Sequence, residues 1–246
     1  MGENRKLLGK IAMVFGGSRG IGAAIVQRLA EDGADVALTW VSQANKAAET
    51  VEAVEAVGRK ALAIKADSAD AAAIQQAVAQ AIDRFGRLDI IVVNAGILRL
   101  GSLETVSLED LDRMLDVNVR GVFVAIQAAA ARLTDGGRVI TIGSNTAIRT
   151  GFPGSSVYSM TKAAVATMVK GIALDLSPRA ITVNNVQPGP TETDMTADHL
   201  EMVKSLVPLG RIGQPREIAG LVAYLASEES AYMTGASLTI DGGYIL

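Results

Sequence analysis

The sequence contains no cysteine and only one histidine, His199. Without cysteine there are no disulfides, thiolate nucleophiles or zinc–thiolate sites. One histidine cannot build a histidine metal cluster, so no metal site is expected. A Ser-His-Asp triad would hang on His199 alone, which reads more simply as a polar surface residue. No run of about 18 apolar residues occurs, so no membrane-spanning helix is expected. The 23 Lys and Arg and 26 Asp and Glu are scattered and leave a net charge of −3, unlike the clustered basic surface of a nucleic-acid binder. In the N-terminal stretch MGENRKLLGKIAMVF, Lys10 interrupts the apolar run and no small-residue cleavage site follows. It reads as a first strand rather than a signal peptide, and a cytoplasmic protein is the expectation.

What is present is alternation. Short apolar, β-branched runs fall at Lys10–Phe15, Asp35–Thr39, Ala61–Lys65, Asp89–Val93, Arg138–Ile142, Thr182–Val186 and Ser237–Ile240. Ala-rich periodic stretches lie between them near 20–32, 43–57, 70–84, 107–133, 156–177 and 214–226. The pattern predicts βαβ units and a doubly wound (Rossmann) α/β fold, with a seven-stranded parallel sheet covered by helices on both faces. A chain of 246 residues fits one such domain, 1–246. The long weakly patterned stretch 189–208 reads as a substrate flap.

Directly after the first strand comes Gly16-Gly17-Ser18-Arg19-Gly20-Ile21-Gly22, opening a helix that ends near Gly33. Glycines permit a tight turn and close backbone approach, and a helix N-terminus offers free N–H groups and positive dipole to phosphate. At the first strand this predicts a dinucleotide site using Gly16, Ser18, Arg19, Gly20, Ile21 and Gly22. The second strand ends in Thr39-Trp40-Val41-Ser42, with no carboxylate to bind a ribose 2′-hydroxyl. With Arg19 able to reach the same place, Trp40 and Ser42 are expected to border a site that favours NADP(H) over NAD(H). The alternative for Arg19 is a solvated loop cation. No second basic residue directly follows Trp40, so the preference is expected to be modest.

Tyr158 and Lys162 are four apart on a predicted helix and therefore share a face. A free tyrosine ionises near pH ~10, and moving that by about three units takes roughly 4 kcal/mol. A cation about 4 Å away at an effective dielectric of ~20 supplies about that much. The pair is expected to do acid–base work on an oxygen. Taken alone, the pair reads more simply as two surface residues that happen to share a helix face.

These residues resemble the short-chain dehydrogenase/reductase family over essentially the whole chain. GGSRGIG resembles its cofactor turn, and Asn94-Ala95-Gly96 its segment after the fourth strand. Asn118, Ser144, Tyr158-x-x-x-Lys162 and Gln187-Pro188-Gly189-Pro190 follow in family order. Phe15 and Val93 stand where the family often has threonine and asparagine; Phe15 is expected to loosen the turn slightly. Within the family the look is closest to 3-oxoacyl-carrier-protein reductases. GGSRGIGAAIV, VVNAGI and NVQPGP also resemble the cyclic-di-GMP-binding biofilm dispersal mediators.

The resemblance implies reversible reduction of a ketone or other carbonyl to a secondary alcohol, with Tyr158 as acid/base and Ser144 holding the substrate oxygen. It makes Lys162 both tuner of the tyrosine and ligand of the nicotinamide ribose, and Asn118 the anchor of a proton-relay water. The alternative for Asn118 is a polar group repairing a kink in its own helix, and for Ser144 an ordinary strand-end serine. Asp67, with Ser68 beside it, would take the adenine amino group, or else cap the helix that begins near Asp70. Asn94, Ala95 and Gly96 would pass beneath the ribose and pyrophosphate. Pro188 and Gly189 would turn the chain around the nicotinamide, with Thr191 at its carboxamide and Thr193 toward phosphate. Ile97, Leu98, Asn145, Met195 and Leu200 are the expected substrate lining, and Met195 and Met202 pack the flap. The small-residue faces at Ala128–Ala131 and at Ala163, Ala164 and Ala166 imply close helix packing in a homotetramer, or simply a core face. Asp241-Gly242-Gly243 is expected near a second interface. Partners are a small carbonyl or alcohol, no nucleic-acid polymer and no membrane. The rival is a nucleotide-binding regulator that sequesters cyclic di-GMP on the same fold.

Overall fold

The computed structural model describes residues 5–194 and 203–246. Seven parallel strands are present: β1 (Ile11–Phe15), β2 (Asp35–Trp40), β3 (Ala61–Lys65), β4 (Leu88–Val93), β5 (Leu133–Ile142), β6 (Thr182–Pro188) and β7 (Ser237–Ile240). They lie in the order β3-β2-β1-β4-β5-β6-β7, the doubly wound Rossmann arrangement the sequence predicts. The order reverses between β1 and β4, which opens a crevice beyond their C-terminal ends.

The strands alternate their buried side chains between two layers. Met13 and Phe15 face one side, with Ile74 and Val78 of α3 (Ala71–Phe85), Val122 and Ile126 of α5 (Gly121–Ala130), and Val165 and Val169 of α6 (Ser156–Leu176). Ala12 and Val14 face the other. There they meet Ile25 and Leu29 of α1 (Gly20–Glu31), Val54 of α2 (Ala44–Ala56), and Ile218 and Val222 of α7 (Pro215–Ala226). Two-sided burial explains why these strands read as continuous apolar runs.

Two elements differ from their predicted form. β5 starts at Leu133 rather than Arg138, because Leu88 pairs Leu133 before the register shifts and Ile90 pairs Arg138. The intervening Thr134-Asp135-Gly136-Gly137 looks like a turn in sequence, yet it is taken into the strand as an irregularity. The predicted helix 107–133 is interrupted. α4 (Leu108–Leu115) passes into a π turn at Asp116–Arg120 before α5 begins. Such turns cluster at functional sites, and Asn118 lies at the centre of this one.

Candidate active site

The glycine turn is built by contacts that exclude side chains. Gly16 has φ +75°, and a methyl group there would lie 2.9 Å from Ala95 Cα. A methyl on Gly22 would overlap the Gly16 carbonyl oxygen and lie 2.6 Å from Asn94 Nδ2. Asn94 donates through that Nδ2 to the Gly16 carbonyl at 2.7 Å. The backbone N–H of Ala95 donates to the Phe15 carbonyl at 2.8 Å. Thr39, not singled out from the sequence, accepts the Gly16 N–H at its Oγ1, 2.9 Å away. Phe15 itself is buried in the core, 1% exposed. The turn is thus tied by Thr39 and Asn94.

α1 opens at Gly20 with no acidic residue in its first turn and no side-chain hydrogen bond from Arg19, its N-cap. Its N-terminal N–H groups and dipole are left for an anion, so the residues present fit a nucleotide pyrophosphate. Around this point stand Ser18 and Ile21 in the turn and exposed Ser42 after β2. Lys65 Nζ lies 5.7 Å from the ring centroid of Trp40, a basic neighbour supplied by β3 rather than by the residues after Trp40.

Asp67 and Ser68 follow β3. Asp67 accepts the Ala69 N–H at 2.9 Å and pairs with Arg113 of α4 at 2.8 Å. Its carboxyl is held below the usual range although burial pushes the other way, because the Ala69 N–H and Arg113 outweigh it. The cap of α3 is Asp70, whose side chain accepts from Ala72 and Ala73, so Asp67 is free of that role. Gly121, at the start of α5, packs so closely on the Ser68 carbonyl that any Cβ there would overlap it.

On the other flank, α6 carries Tyr158 and Lys162 on one face. Lys162 Nζ lies 5.6 Å from the Tyr158 ring centroid and donates to the Ile142 carbonyl, at the end of β5, at 3.0 Å. Ser144, two residues on, is 7% exposed; its Oγ accepts from Thr146 N at 3.2 Å. A methyl on Gly96 would lie 3.4 Å from both Lys162 Nζ and Asn118 Oδ1, so these two flank Gly96. The Asn118 amide does not serve its own helix. Its Oδ1 accepts the Ile97 N–H at 2.8 Å, and its Nδ2 donates to the Ile97 carbonyl at 2.9 Å. Nδ2 also reaches Thr161 Oγ1 at 3.2 Å, which in turn donates to the Tyr158 carbonyl at 2.7 Å.

The electrostatics differ from the sequence expectation. Burial pushes the Tyr158 phenol up to about 12, and the neighbouring Ser144 hydroxyl pulls it back only in part. Burial lowers the Lys162 ammonium to about 8. The lysine is 5% exposed, over the ring face, with its proton directed at a carbonyl. Desolvation is the largest influence on both groups, and it outweighs the cation in setting the tyrosine.

After β6 the chain crosses the crevice. The Gly189 N–H donates to the Ile240 carbonyl at 3.0 Å. A methyl on Gly189 would lie 2.7 Å from Asp241 Cα, so this glycine is required by close approach of β7. Asn145 Nδ2 reaches Asp241 Oδ2 at 3.3 Å, linking the Ser144 loop to the same strand end. Pro188 ends β6, Thr191 bridges to Gly213, and Thr193 returns over Gly20. Met195, His199, Leu200 and Met202 lie outside the described residues.

A model of the enoyl-(acyl carrier protein) reductase kind matches residues 16–245. The chain belongs to the short-chain dehydrogenase/reductase family. It is 40% identical to the cyclic-di-GMP-binding biofilm dispersal mediator protein of Escherichia coli, over 96% of this chain and 97% of that protein. Versicolorin reductase 1 of Aspergillus parasiticus is 39% identical, over 99% of each chain. Among solved structures, a short-chain dehydrogenase/reductase of Serratia marcescens is 57% identical with a TM-score of 0.96, covering 98% of this chain and 100% of that one. A blue fluorescent protein from a metagenomic library, in complex with NADPH, is 50% identical with a TM-score of 0.95, covering 98% and 100%. A Burkholderia cenocepacia short-chain dehydrogenase in complex with NADP is 48% identical with a TM-score of 0.94, again covering 98% and 100%. Family membership makes the chain an oxidoreductase of the nicotinamide-dependent type.

Proposed function

We propose that this oxidoreductase uses NADP(H) to interconvert a ketone and a secondary alcohol, with Tyr158 as the acid/base. The observation that carries the reading is the convergence of Tyr158, Lys162 and Ser144 around one point beside Gly96. When bound, the nicotinamide supplies or accepts the hydride. The chain's own residues handle the oxygen and its proton. A phenol held at about 12 is fully protonated at neutral pH and donates its proton to a carbonyl oxygen as negative charge develops there. Ser144 gives that oxygen a second hydrogen-bond partner. Lys162, fixed by Ile142, is a buried cation beside the Tyr158 ring that would stabilise the phenolate left behind and hold the nicotinamide ribose. Asn118 holds the Gly96–Ile97 segment against Lys162, where it would anchor a water that relays protons from Lys162 to solvent.

The glycine turn, Asn94, Ala95 and Gly96 form the bed for the dinucleotide, with Arg19, Trp40 and Ser42 at its 2′-phosphate end and Asp67 and Ser68 at its adenine end. Pro188, Gly189 and Thr191 close over the nicotinamide side, and Thr193, over Gly20 of the glycine turn, lies toward the phosphates. Substrate choice resides in the 189–208 flap together with Ile97, Leu98 and Asn145. The NADPH and NADP complexes of the two relatives support the cofactor assignment. Apolar residues left exposed on α5 and α6, Phe123 at 45%, Met160 at 47% and Leu174 at 76%, support a homo-oligomeric assembly through these helices, a tetramer in this reading. Light scattering of the purified protein tests that.

The reading of the site is tested by following NADPH and NADH consumption with a panel of ketones and 3-oxoacyl thioesters, beside Tyr158→Phe. Near-wild-type turnover by that variant would rule out the assigned role. A second reading, nucleotide sequestration, is favoured by the 40% identity to the cyclic-di-GMP-binding relative. Tight cyclic di-GMP binding with no NADPH oxidation across the panel would establish it in place of the first.

A further inference from the structure

The cation at the 2′-phosphate end of the crevice already holds an anion of the chain's own. Arg19, in the glycine turn, has its NH1 3.0 Å from Oδ2 of Asp194, in the segment that follows β6. Thr193 packs across the same turn: a methyl on Gly20 would lie 3.4 Å from its Cγ2. Lys46, in the first turn of α2, feels the same carboxylate. Glu49 does most to raise the Lys46 ammonium, and Asp194 adds to it. Three separate segments of the chain thus converge on this point. The Asp194 side chain is 74% exposed and that of Arg19 54%, so the pair adds little to folding stability. Its consequence is for what else Arg19 can bind.

We infer that Asp194 is an internal competitor for the cofactor's 2′-phosphate, one that limits how strongly the chain prefers NADP(H) to NAD(H). The inference rests on the NADP(H) reading above and adds a specificity-determining residue to it. A phosphate offers Arg19 a more highly charged, bidentate partner than a carboxylate does. To reach it, the phosphate must displace Asp194 or accept a carboxylate beside it. In both cases the negative charge subtracts from binding of the phosphorylated cofactor. A ribose with a free 2′-hydroxyl makes no demand on Arg19 and meets no such competition.

The test is titration of the full chain with 2′,5′-ADP and with 5′-AMP, which differ only in the 2′-phosphate. Asp194→Asn is expected to tighten 2′,5′-ADP about two- to fivefold at low salt, the range of an exposed ion pair, and to change 5′-AMP by less. The gain should shrink as salt rises. In an Arg19→Ala background the same substitution should add almost nothing, which isolates the pairwise interaction. Equal changes for both nucleotides, or no gain for 2′,5′-ADP, would overturn the role of Asp194 while leaving the cofactor assignment standing. If wild type held 2′,5′-ADP no better than 5′-AMP, and Arg19→Ala altered neither, the cofactor assignment would fall and the inference with it.

Discussion

The glycine turn and the connection after β6 face each other across one crevice and are built on opposite plans. In the turn, glycines are pressed against backbone: Gly16 against Ala95, Gly22 against the Gly16 carbonyl, with Thr39 and Asn94 tying the loop. In the connection, Gly189 is pressed on Asp241 and Thr191 is buried, but further along the described residues meet through exposed charged and polar side chains. Arg19 pairs with Asp194, Arg211 with Glu217, and Gln214 Nε2 donates to Glu192 at 2.6 Å. The first arrangement tolerates almost no change in shape. The second can be rewritten by substituting surface residues. A fold built this way keeps its reaction constant while its substrate varies.

The largest effect expected on that contrast is chemical. Tyr158→Phe should lower kcat about 10²- to 10⁴-fold, the usual weight of a positioned general acid, with NADPH affinity almost unchanged. Stopped-flow turnover and a separate binding titration measure the two. Next comes a matched pair of glycine substitutions. Gly22→Ala should cost about 3 kcal/mol in denaturant unfolding, because its methyl meets a carbonyl oxygen that cannot move. Gly213→Ala, where the nearest atom would be 3.4 Å away, should cost less than about 0.5 kcal/mol. Equal costs would erase the distinction between the two sides.

A pH experiment sharpens the buried flank. Lys162 has a folded pKa of about 8, lowered by burial from its ordinary 10.5. Between those values the folded state binds fewer protons than the unfolded, so the wild type gains stability as pH rises through that window and carries the full cost below it. Relative to Lys162→Met, the wild type should gain about 3 kcal/mol from pH 8 to 10.5, followed by urea unfolding. Tyr158, raised to about 12, works the other way. Its stabilisation is complete below pH 10 and is lost between 10 and 12, in wild type and variant alike. The smallest effect concerns Asp67. Removing its Arg113 partner by Arg113→Ala should cost less than about 1 kcal/mol, since both side chains are more than a third exposed.

Local patterns gave the architecture away. All seven strands and the starts of α1, α2, α3, α4, α6 and α7 can be read because two-sided burial leaves continuous apolar runs and helices open near turn signals. Ser144, Tyr158 and Lys162 were legible through order and spacing, and the structure brings them together. The π turn was not, since an interrupted helix keeps nearly the same apolar period as an intact one. Nor was the start of β5, where Gly136-Gly137 carries a turn signature inside a strand. Thr39 lies next to Trp40 and could have been weighed as a tie for the turn. Lys65 over Trp40 and Asp194 on Arg19 depend on contacts between distant segments, which no local pattern encodes. The tyrosine pKa departs from the sequence expectation for a related reason. Proximity of a cation can be inferred from a four-residue spacing, whereas the desolvation of both groups depends on what the rest of the chain stacks around them.

The run from α4 through the π turn to α5 touches the crevice at three places. Arg113 grips Asp67, Gly121 sits on the Ser68 carbonyl, and Asn118 holds Ile97 beside Lys162. The two ends of the crevice are therefore measured off the same rod. A change in that stretch of helix, the π turn included, would be felt at both ends of the crevice at once.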